Sequence, residues 1–145
     1  MERGTMVMSR LKPELSKSNK YYVEKHRYYE LKHFCLQYEA WKEAYRNIDG
    51  LERTNEIINR SKYSKAAQNS TARCAALRMY LAEKIELVED CCKKTDKSLY
   101  EYILKGVTTD MPYETLRLKY NIPCCRDTYY ELYRRFFWIL DNSRK

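Results

Sequence analysis

Glycine and proline are scarce in this chain, which has only three of each among its 145 residues. A β-sandwich or β-barrel needs a turn after every short strand, and such turns draw heavily on these two residue types. Hydrophobic residues make up 44% of the sequence, which is enough for a core of ordinary size. The sequence therefore predicts an all-α fold. We expect long N-terminal helices that form a helical hairpin or bundle, followed by a C-terminal three-helix helix-turn-helix.

The charge balance favours an anionic partner, because 28 Lys and Arg residues exceed 20 Asp and Glu residues and leave a formal net charge of +8. No stretch approaches the roughly 18 uncharged apolar residues of a membrane span. The first ten residues also lack the apolar region of a secretory signal. We therefore expect a cytoplasmic protein with no membrane partner, and nucleic acid is the favoured ligand.

The N-terminal part of the chain divides into a short arm and a long helical region. Residues 1–17 are polar and basic, and we expect them to form a flexible basic arm. Residues 18–94 are the predicted helical bundle or oligomerisation region. In its first part the pattern predicts one helix, or two with a kink near Tyr38, ending at Asp49-Gly50.

The second part of this region contains a weaker helical pattern over 51–70 and then a stronger helix. Ser70-Thr71 is the expected cap of that helix, which runs to about Lys94. Its apolar residues follow spacings of three and four, as in the seam of a helical hairpin or a two-chain coil, so a homodimer is one arrangement that we expect. This stripe consists of Cys74, Leu77, Leu81, Ile85, Val88 and Cys92.

Residues 95–145 form the predicted helix-turn-helix DNA-binding domain. Helices are expected over 97–107, over 112–120 and from about 126 to 142. In this motif the second helix supports the third, whose exposed face enters the major groove of DNA. The features expected at the support and the turn are inward packing of Tyr113, Leu116 and Tyr120, a left-handed backbone at Asn121, and a buried Ile122.

Side chains of the second and third of these helices are the candidate DNA contacts. Those on the N-terminal half of the third helix suit base edges, and the others suit phosphates. These residues could instead form the solvated face of an ordinary helical bundle. Local charge does not distinguish the two, because residues 98–145 hold 8 basic and 6 acidic side chains. The predicted base contacts are Arg126, Thr128, Tyr130 and Arg134, and the predicted phosphate contacts are Arg117, Lys119 and Arg135.

The segments HRYYELKHFCLQYEAW (26–41) and YETLRLKYNIPCCRDTYYELYRRFFWIL (113–140) resemble small phage and prophage proteins of Gram-positive bacteria. These proteins are grouped near the RinA/ArpU-type late transcriptional regulators, whose C-terminal part is similar to region 4 of sigma-70 factors. The resemblance implies a helix-turn-helix protein that acts on phage promoters in the host cytoplasm, with host RNA polymerase as a candidate partner. By this resemblance, residues 113–120 correspond to the supporting helix and residues 126–135 to the helix that reads the DNA bases.

The chain also departs from the sigma pattern. Leu116-Arg117-Leu118 stands where such a supporting helix usually has a small residue, and the connector is one residue longer. Phe136, Phe137 and Trp138 make the end of the third helix unusually hydrophobic. We interpret these three aromatic residues as core, or as a docking surface for the N-terminal helices, and not as groups that stack on bases.

The sequence offers little support for enzymatic or metal chemistry. Cys91-Cys92 and Cys124-Cys125 lack the intervening residues of a zinc site, so we expect free, mostly buried thiols and no metal or cofactor. There is no glycine-rich phosphate loop, H-E-x-x-H or G-x-S-x-G motif. We therefore expect a non-enzymatic protein. The alternative to a DNA-binding regulator is a phage-encoded modulator or inhibitor of a host protein, such as RNA polymerase or a defence nuclease, that reuses the helix-turn-helix shape.

Overall fold

The computed structural model describes residues 17–59 and 65–145, with side chains described for 17–48 and 71–145. These residues form α-helices and no strand, which confirms the predicted all-α class. The predicted flexible arm lies outside the described residues except for Lys17. None of the described helices is both long enough and apolar enough to cross a membrane. The helices are α1 (Lys25–Leu36), α2 (Tyr38–Asn59), α3 (Lys65–Thr95), α4 (Tyr100–Thr109), α5 (Tyr113–Tyr120) and α6 (Arg126–Ser143).

The long N-terminal helices differ from the prediction in their limits. Of the two predicted alternatives, the one with two helices that meet near Tyr38 is confirmed, because α1 ends at Leu36 and α2 begins at Tyr38. The expected end at Asp49-Gly50 is wrong, since α2 continues to Asn59. A glycine inside a helix costs only about 1 kcal/mol relative to alanine, which a 22-residue helix can absorb. The expected cap at Ser70-Thr71 is wrong as well, because α3 begins at Lys65 and serine and threonine are only weakly unfavourable within a helix.

The chain divides into two compact units. One contains α1, the last two turns of α3, and α4 to α6; the other spans Tyr38–Leu87 and contains α2 with most of α3. The predicted division instead placed 18–94 in one region and 95–145 in another. The difference arises because α1 packs against α4 and α6.

In the Tyr38–Leu87 unit, cationic side chains of α3 lie over aromatic rings of α2. The Lys84 ammonium is 5.8 Å from the centre of the Trp41 ring, and the Arg78 guanidinium is 5.8 Å from that of Tyr45. The predicted α3 stripe is only partly buried, because Leu81 is enclosed whereas 45% of Leu77 is exposed.

Helix α6 forms the centre of the other unit. Phe136 and Phe137 are fully buried, so their prediction as core is confirmed. Tyr28 of α1 meets the Phe137 ring edge-on at 5.1 Å, and its hydroxyl lies 2.8 Å from that of Tyr133. Trp138 is instead exposed beside Tyr21, with the two ring centres 5.7 Å apart.

Polar contacts fix α1 to the end of α6. Arg27 donates from Nε to the Asp141 carboxylate at 2.7 Å, and the Arg144 guanidinium lies 3.8 Å from the centre of the Phe34 ring. The buried stem of Lys32 brings its ammonium to 3.4 Å from Asp110, at the turn after α4. Charged groups at both ends of α1 therefore support the apolar packing of α1 against the C-terminal helices.

Gly106 lets α4 approach α6 closely. A methyl group at this position would overlap with the Tyr129 hydroxyl and lie 3.4 Å from Leu116 Cδ1. Among the described residues, the Tyr129 hydroxyl is buried and has no hydrogen-bond partner. The absence of a side chain at Gly106 therefore sets how α4, α5 and α6 pack together.

Candidate nucleic-acid interface

The connection between α5 and α6 is a tight turn with the expected features. Asn121 ends α5 in the left-handed conformation at φ 53°, and its N–H donates to the Arg117 carbonyl at 3.0 Å. Asparagine tolerates this conformation better than most residues. Ile122 is 5% exposed, so its side chain anchors the turn in the core. Both predictions about the turn are confirmed.

Helix α5 is fixed to α6 by buried groups. Tyr113 and Leu116 are buried as predicted, and the Tyr113 hydroxyl donates to the Cys124 carbonyl at 2.6 Å. The inward packing predicted for Tyr120 is wrong, since 39% of this residue is exposed and the Lys105 ammonium lies 4.6 Å from its ring centre. Tyr120 is the last residue of α5, and the preceding residues Leu118 and Lys119 are exposed as well.

The solvent-facing side of α6 carries charges of both signs. A groove of about 400 Å³ runs along its N-terminal half and is lined by Arg126, Asp127, Tyr130, Glu131 and Arg134. Asp127 and Glu131 were not among the predicted contacts, although their spacing of four places them on one helical face. The groove is thus close to charge-balanced.

Two predicted base contacts already interact with neighbouring residues. The Arg126 guanidinium lies 3.5 Å from Glu114 of α5 and 5.4 Å from the centre of the Tyr130 ring. The Thr128 hydroxyl is exposed and lies 3.1 Å from Cys125 Sγ. Both are surface contacts that a ligand can displace, because each involves an exposed or half-exposed group.

Tyr130 is buried, so its prediction as a base contact is wrong. Only 7% of the residue is exposed, and its hydroxyl accepts a hydrogen bond from the Tyr113 backbone N–H at 3.2 Å. Its ring also packs edge-on against Tyr129 at 5.0 Å. The bond to Tyr113 fixes α6 to α5, so Tyr130 positions α6, and only the small exposed part of this residue borders the groove.

The remaining predicted contacts are accessible. Arg117 and Lys119 are exposed on α5, Arg134 is half-exposed in the groove, and Arg135 is exposed on α6. The structure therefore brings Arg126 and Arg134 together in one groove and leaves Arg117 and Lys119 on a separate helix.

The six cysteines are free, and three of them are buried. Burial raises the pKa of the Cys35 and Cys92 thiols well above the ordinary range. Cys125 is the exposed residue that precedes α6, and hydrogen bonds from the hydroxyl and N–H of Thr128 lower its pKa. Among the described side chains, no cluster of three or more His, Cys, Asp or Glu residues could hold a metal ion.

Comparisons with known proteins do not indicate a function for this chain. No protein-family model, curated protein or solved structure matches the chain. The resemblance to RinA/ArpU-type regulators therefore stays a prediction. The features that bear on function are α5, the turn at Asn121, and the exposed half of α6.

Proposed function

We propose that this chain is a phage-derived, sequence-specific DNA-binding transcriptional regulator in which α6 reads the major groove. One observation carries the proposal. Helix α5, the left-handed turn at Asn121 and the buried Ile122 hold α6 so that its N-terminal half lies at the surface with Arg126, Thr128 and Arg134. This is the arrangement that a helix-turn-helix protein needs to present a reading helix.

The dimensions of α6 suit this role. Its ten residues from Arg126 to Arg135 extend about 15 Å at 1.5 Å per residue. A major groove roughly 12 Å wide admits one such helix. The aromatic packing of Tyr133 and Phe137 against α1 keeps α6 in a fixed orientation. A rigid support of this kind lowers the entropic cost of ordering the contacts to DNA.

The mixed charges of the α6 groove suit base reading better than phosphate binding. Arginine pairs with the O6 and N7 acceptors of guanine, and a carboxylate accepts from the N4 amino group of cytosine. Arg134 and Glu131 could therefore specify adjacent base pairs. Arg117, Lys119 and Arg135 lie on exposed surfaces and are the proposed phosphate contacts.

A second candidate function is a protein-binding modulator or inhibitor of a host protein, such as RNA polymerase or a defence nuclease. The pair formed by Tyr21 and the exposed Trp138 favours it, because tryptophan and tyrosine are enriched at protein interfaces. In this case Trp138→Ala would abolish partner binding, and binding would depend only weakly on salt. Under either function we propose that the protein acts in the bacterial cytoplasm and forms a homodimer. Host RNA polymerase is a further proposed partner.

Selection from a random duplex pool at moderate salt tests the principal proposal. The wild-type protein should enrich one sequence motif, and Arg134→Ala should relax the preference at one or two positions at a cost of about 1–3 kcal/mol. Arg46→Ala is the matched control, because Arg46 is an exposed arginine paired with Glu43 in the other unit. The proposal is wrong if the wild-type protein enriches no motif, or if the two variants behave alike.

A further inference from the structure

A second groove continues from the α6 groove to the segment that precedes α1. It measures about 260 Å³ and is lined by Asn19, Lys20, Tyr21, Glu131 and Arg134. Glu131 and Arg134 also line the α6 groove, so the two grooves form one continuous surface. A segment that is distant in the sequence therefore lies directly beside the proposed reading face.

This segment is a tight turn closed by two hydrogen bonds. The Tyr21 N–H donates to Oδ1 of Asn19 at 2.8 Å, and the Tyr22 N–H donates to the Asn19 carbonyl at 3.0 Å. An asparagine side chain that bonds to the backbone two residues later is a common way of stabilising a turn. We call residues Asn19–Tyr22 the N-terminal turn.

Aromatic and apolar contacts attach the N-terminal turn to its unit. The Tyr21 ring packs against Trp138 of α6, with the ring centres 5.7 Å apart, and Val23 just after the turn is 2% exposed. Lys20 is exposed within the turn, and its ammonium lies 5.0 Å from the centre of the Tyr21 ring. The turn therefore holds a cation beside α6 at the end of the groove.

Lys20 changes the charge balance at this end of the surface. The α6 groove holds two arginines and two carboxylates, whereas Lys20 and Arg134 face the single carboxylate of Glu131 in the second groove. Among the described side chains, Lys20 forms no ion pair within 4 Å. The surface is thus close to neutral along α6 and slightly positive at the N-terminal turn.

We propose that Lys20 contacts a backbone phosphate at the edge of the major groove that α6 enters. This inference rests on the proposed function. A helix with its side chains is about 10–12 Å across and nearly fills a major groove roughly 12 Å wide. A group that lies beside such a helix therefore meets the sugar-phosphate backbone and not the base edges. A lysine ammonium suits this contact as a compact point charge, and phosphate contacts fix the register of a reading helix without specifying bases.

Two other roles for this surface make different predictions. Lys20 could only stabilise the turn through the Tyr21 ring, in which case its substitution lowers the free energy of unfolding and leaves the salt dependence of DNA binding unchanged. The surface around Tyr21 and Trp138 could instead bind a protein, in which case substitution of Lys20 leaves DNA affinity unchanged. Neither role predicts coupling between Lys20 and one phosphate of the duplex.

The first measurement is the salt dependence of DNA binding by Lys20→Gln. Lys42→Gln is the matched control, because the Lys42 ammonium also lies over a tyrosine ring, 5.2 Å from the centre of Tyr38, and belongs to the other unit. The dissociation constant for the duplex enriched from the random pool is measured between about 50 and 200 mM salt. Lys20→Gln should reduce the slope of log affinity against log salt by about 0.9, so its affinity should fall about threefold less than that of the control over this range.

The second measurement locates the contact with methylphosphonate groups, each of which replaces one charged phosphate of the enriched duplex by a neutral group. At one position beside the enriched motif, this replacement should weaken binding by the wild type and by Lys42→Gln but should not weaken binding by Lys20→Gln further. A reduced slope together with such a position supports the proposal.

The contrary outcomes separate this proposal from the proposed function. An unchanged slope, or no position that couples to Lys20, overturns the phosphate contact and leaves the reading function of α6 standing, provided that the wild type enriches a motif. If far-UV circular dichroism shows that Lys20→Gln is unfolded, Lys20→Met is measured in its place. Loss of folding in both variants shows that Lys20 serves stability and overturns the contact as well. A wild-type protein that enriches no motif overturns both proposals.

Discussion

Replacing Gly106 by alanine should destabilise the protein, although alanine is the better helix former. In an open helix position this change gains roughly 0.5–1 kcal/mol. Here the new methyl group would overlap with the Tyr129 hydroxyl and lie 3.1 Å from Tyr129 Cζ. Tyr129 is fully buried, so any shift of its ring must displace neighbouring core residues. Overpacking of a core costs about 1–3 kcal/mol, so the net loss in the free energy of unfolding should be about 1–2 kcal/mol.

A double-mutant cycle with Tyr129→Phe identifies the cause of this loss. The hydroxyl of Tyr129 has no partner among the described residues, so its removal should be neutral or stabilise by up to about 1 kcal/mol. Gly106→Ala should then cost much less in the phenylalanine background, with a coupling energy of about 1–2 kcal/mol in urea unfolding. An alanine variant more stable than the wild type, or a coupling energy near zero, would refute the close approach of α4 and α6.

Two further predictions concern the core and the thiols. An alkylating reagent should modify Cys125 first and reach its maximal rate at a lower pH than for an ordinary thiol, because bonds from Thr128 lower the pKa of this exposed group. Cys35, whose pKa burial raises, should react only after unfolding, and equal rates in the native protein would contradict this. Tyr28→Phe should lower the free energy of unfolding by about 1–2 kcal/mol, because it leaves the buried Tyr133 hydroxyl without its 2.8 Å partner. Adding Tyr133→Phe should recover part of that loss in urea unfolding, and an unchanged single variant would exclude this role.

The C-terminal helices could be predicted closely because their limits depend on local signals. Pro112 precedes α5, and Asn121 ends it in a conformation that few residue types adopt readily. Ile122 is a large apolar residue in a polar connector, so its burial follows from the hydrophobic effect alone. These signals place α5 at the predicted residues to within one position.

Long-range packing could not be predicted in the same way. Helical spacing identifies an apolar face, but it does not say which helix covers that face. Tyr28 contacts Phe137 across more than a hundred residues, and this pairing moves α1 into the unit of the C-terminal helices. Local signals can also mislead. The unfavourable helix propensity of Gly50 is worth only about 1 kcal/mol, and α2 continues past this residue.

The site was predicted only in part, for the same physical reason. Helix α6 is covered on more than one side, so both Tyr129 and Tyr130 are buried. Helical spacing predicts a single narrow apolar face, and that face includes Tyr129 but not Tyr130. A prediction that selects mainly basic side chains as DNA contacts also omits Asp127 and Glu131, which line the groove beside Arg134. Burial and charge balance around a helix become visible only when its neighbours are placed.

The most direct test of α6 as the reading helix is a titration of isotopically labelled protein with the enriched duplex, followed by amide chemical shifts. If α6 reads the duplex, the largest shifts should occur between Arg126 and Arg135, with smaller ones at Arg117 and Lys119. Amides of α2 within Tyr38–Leu87 should change little. Shifts confined to Tyr38–Leu87, or to the surface around Tyr21 and Trp138, would exclude α6 as the reading helix.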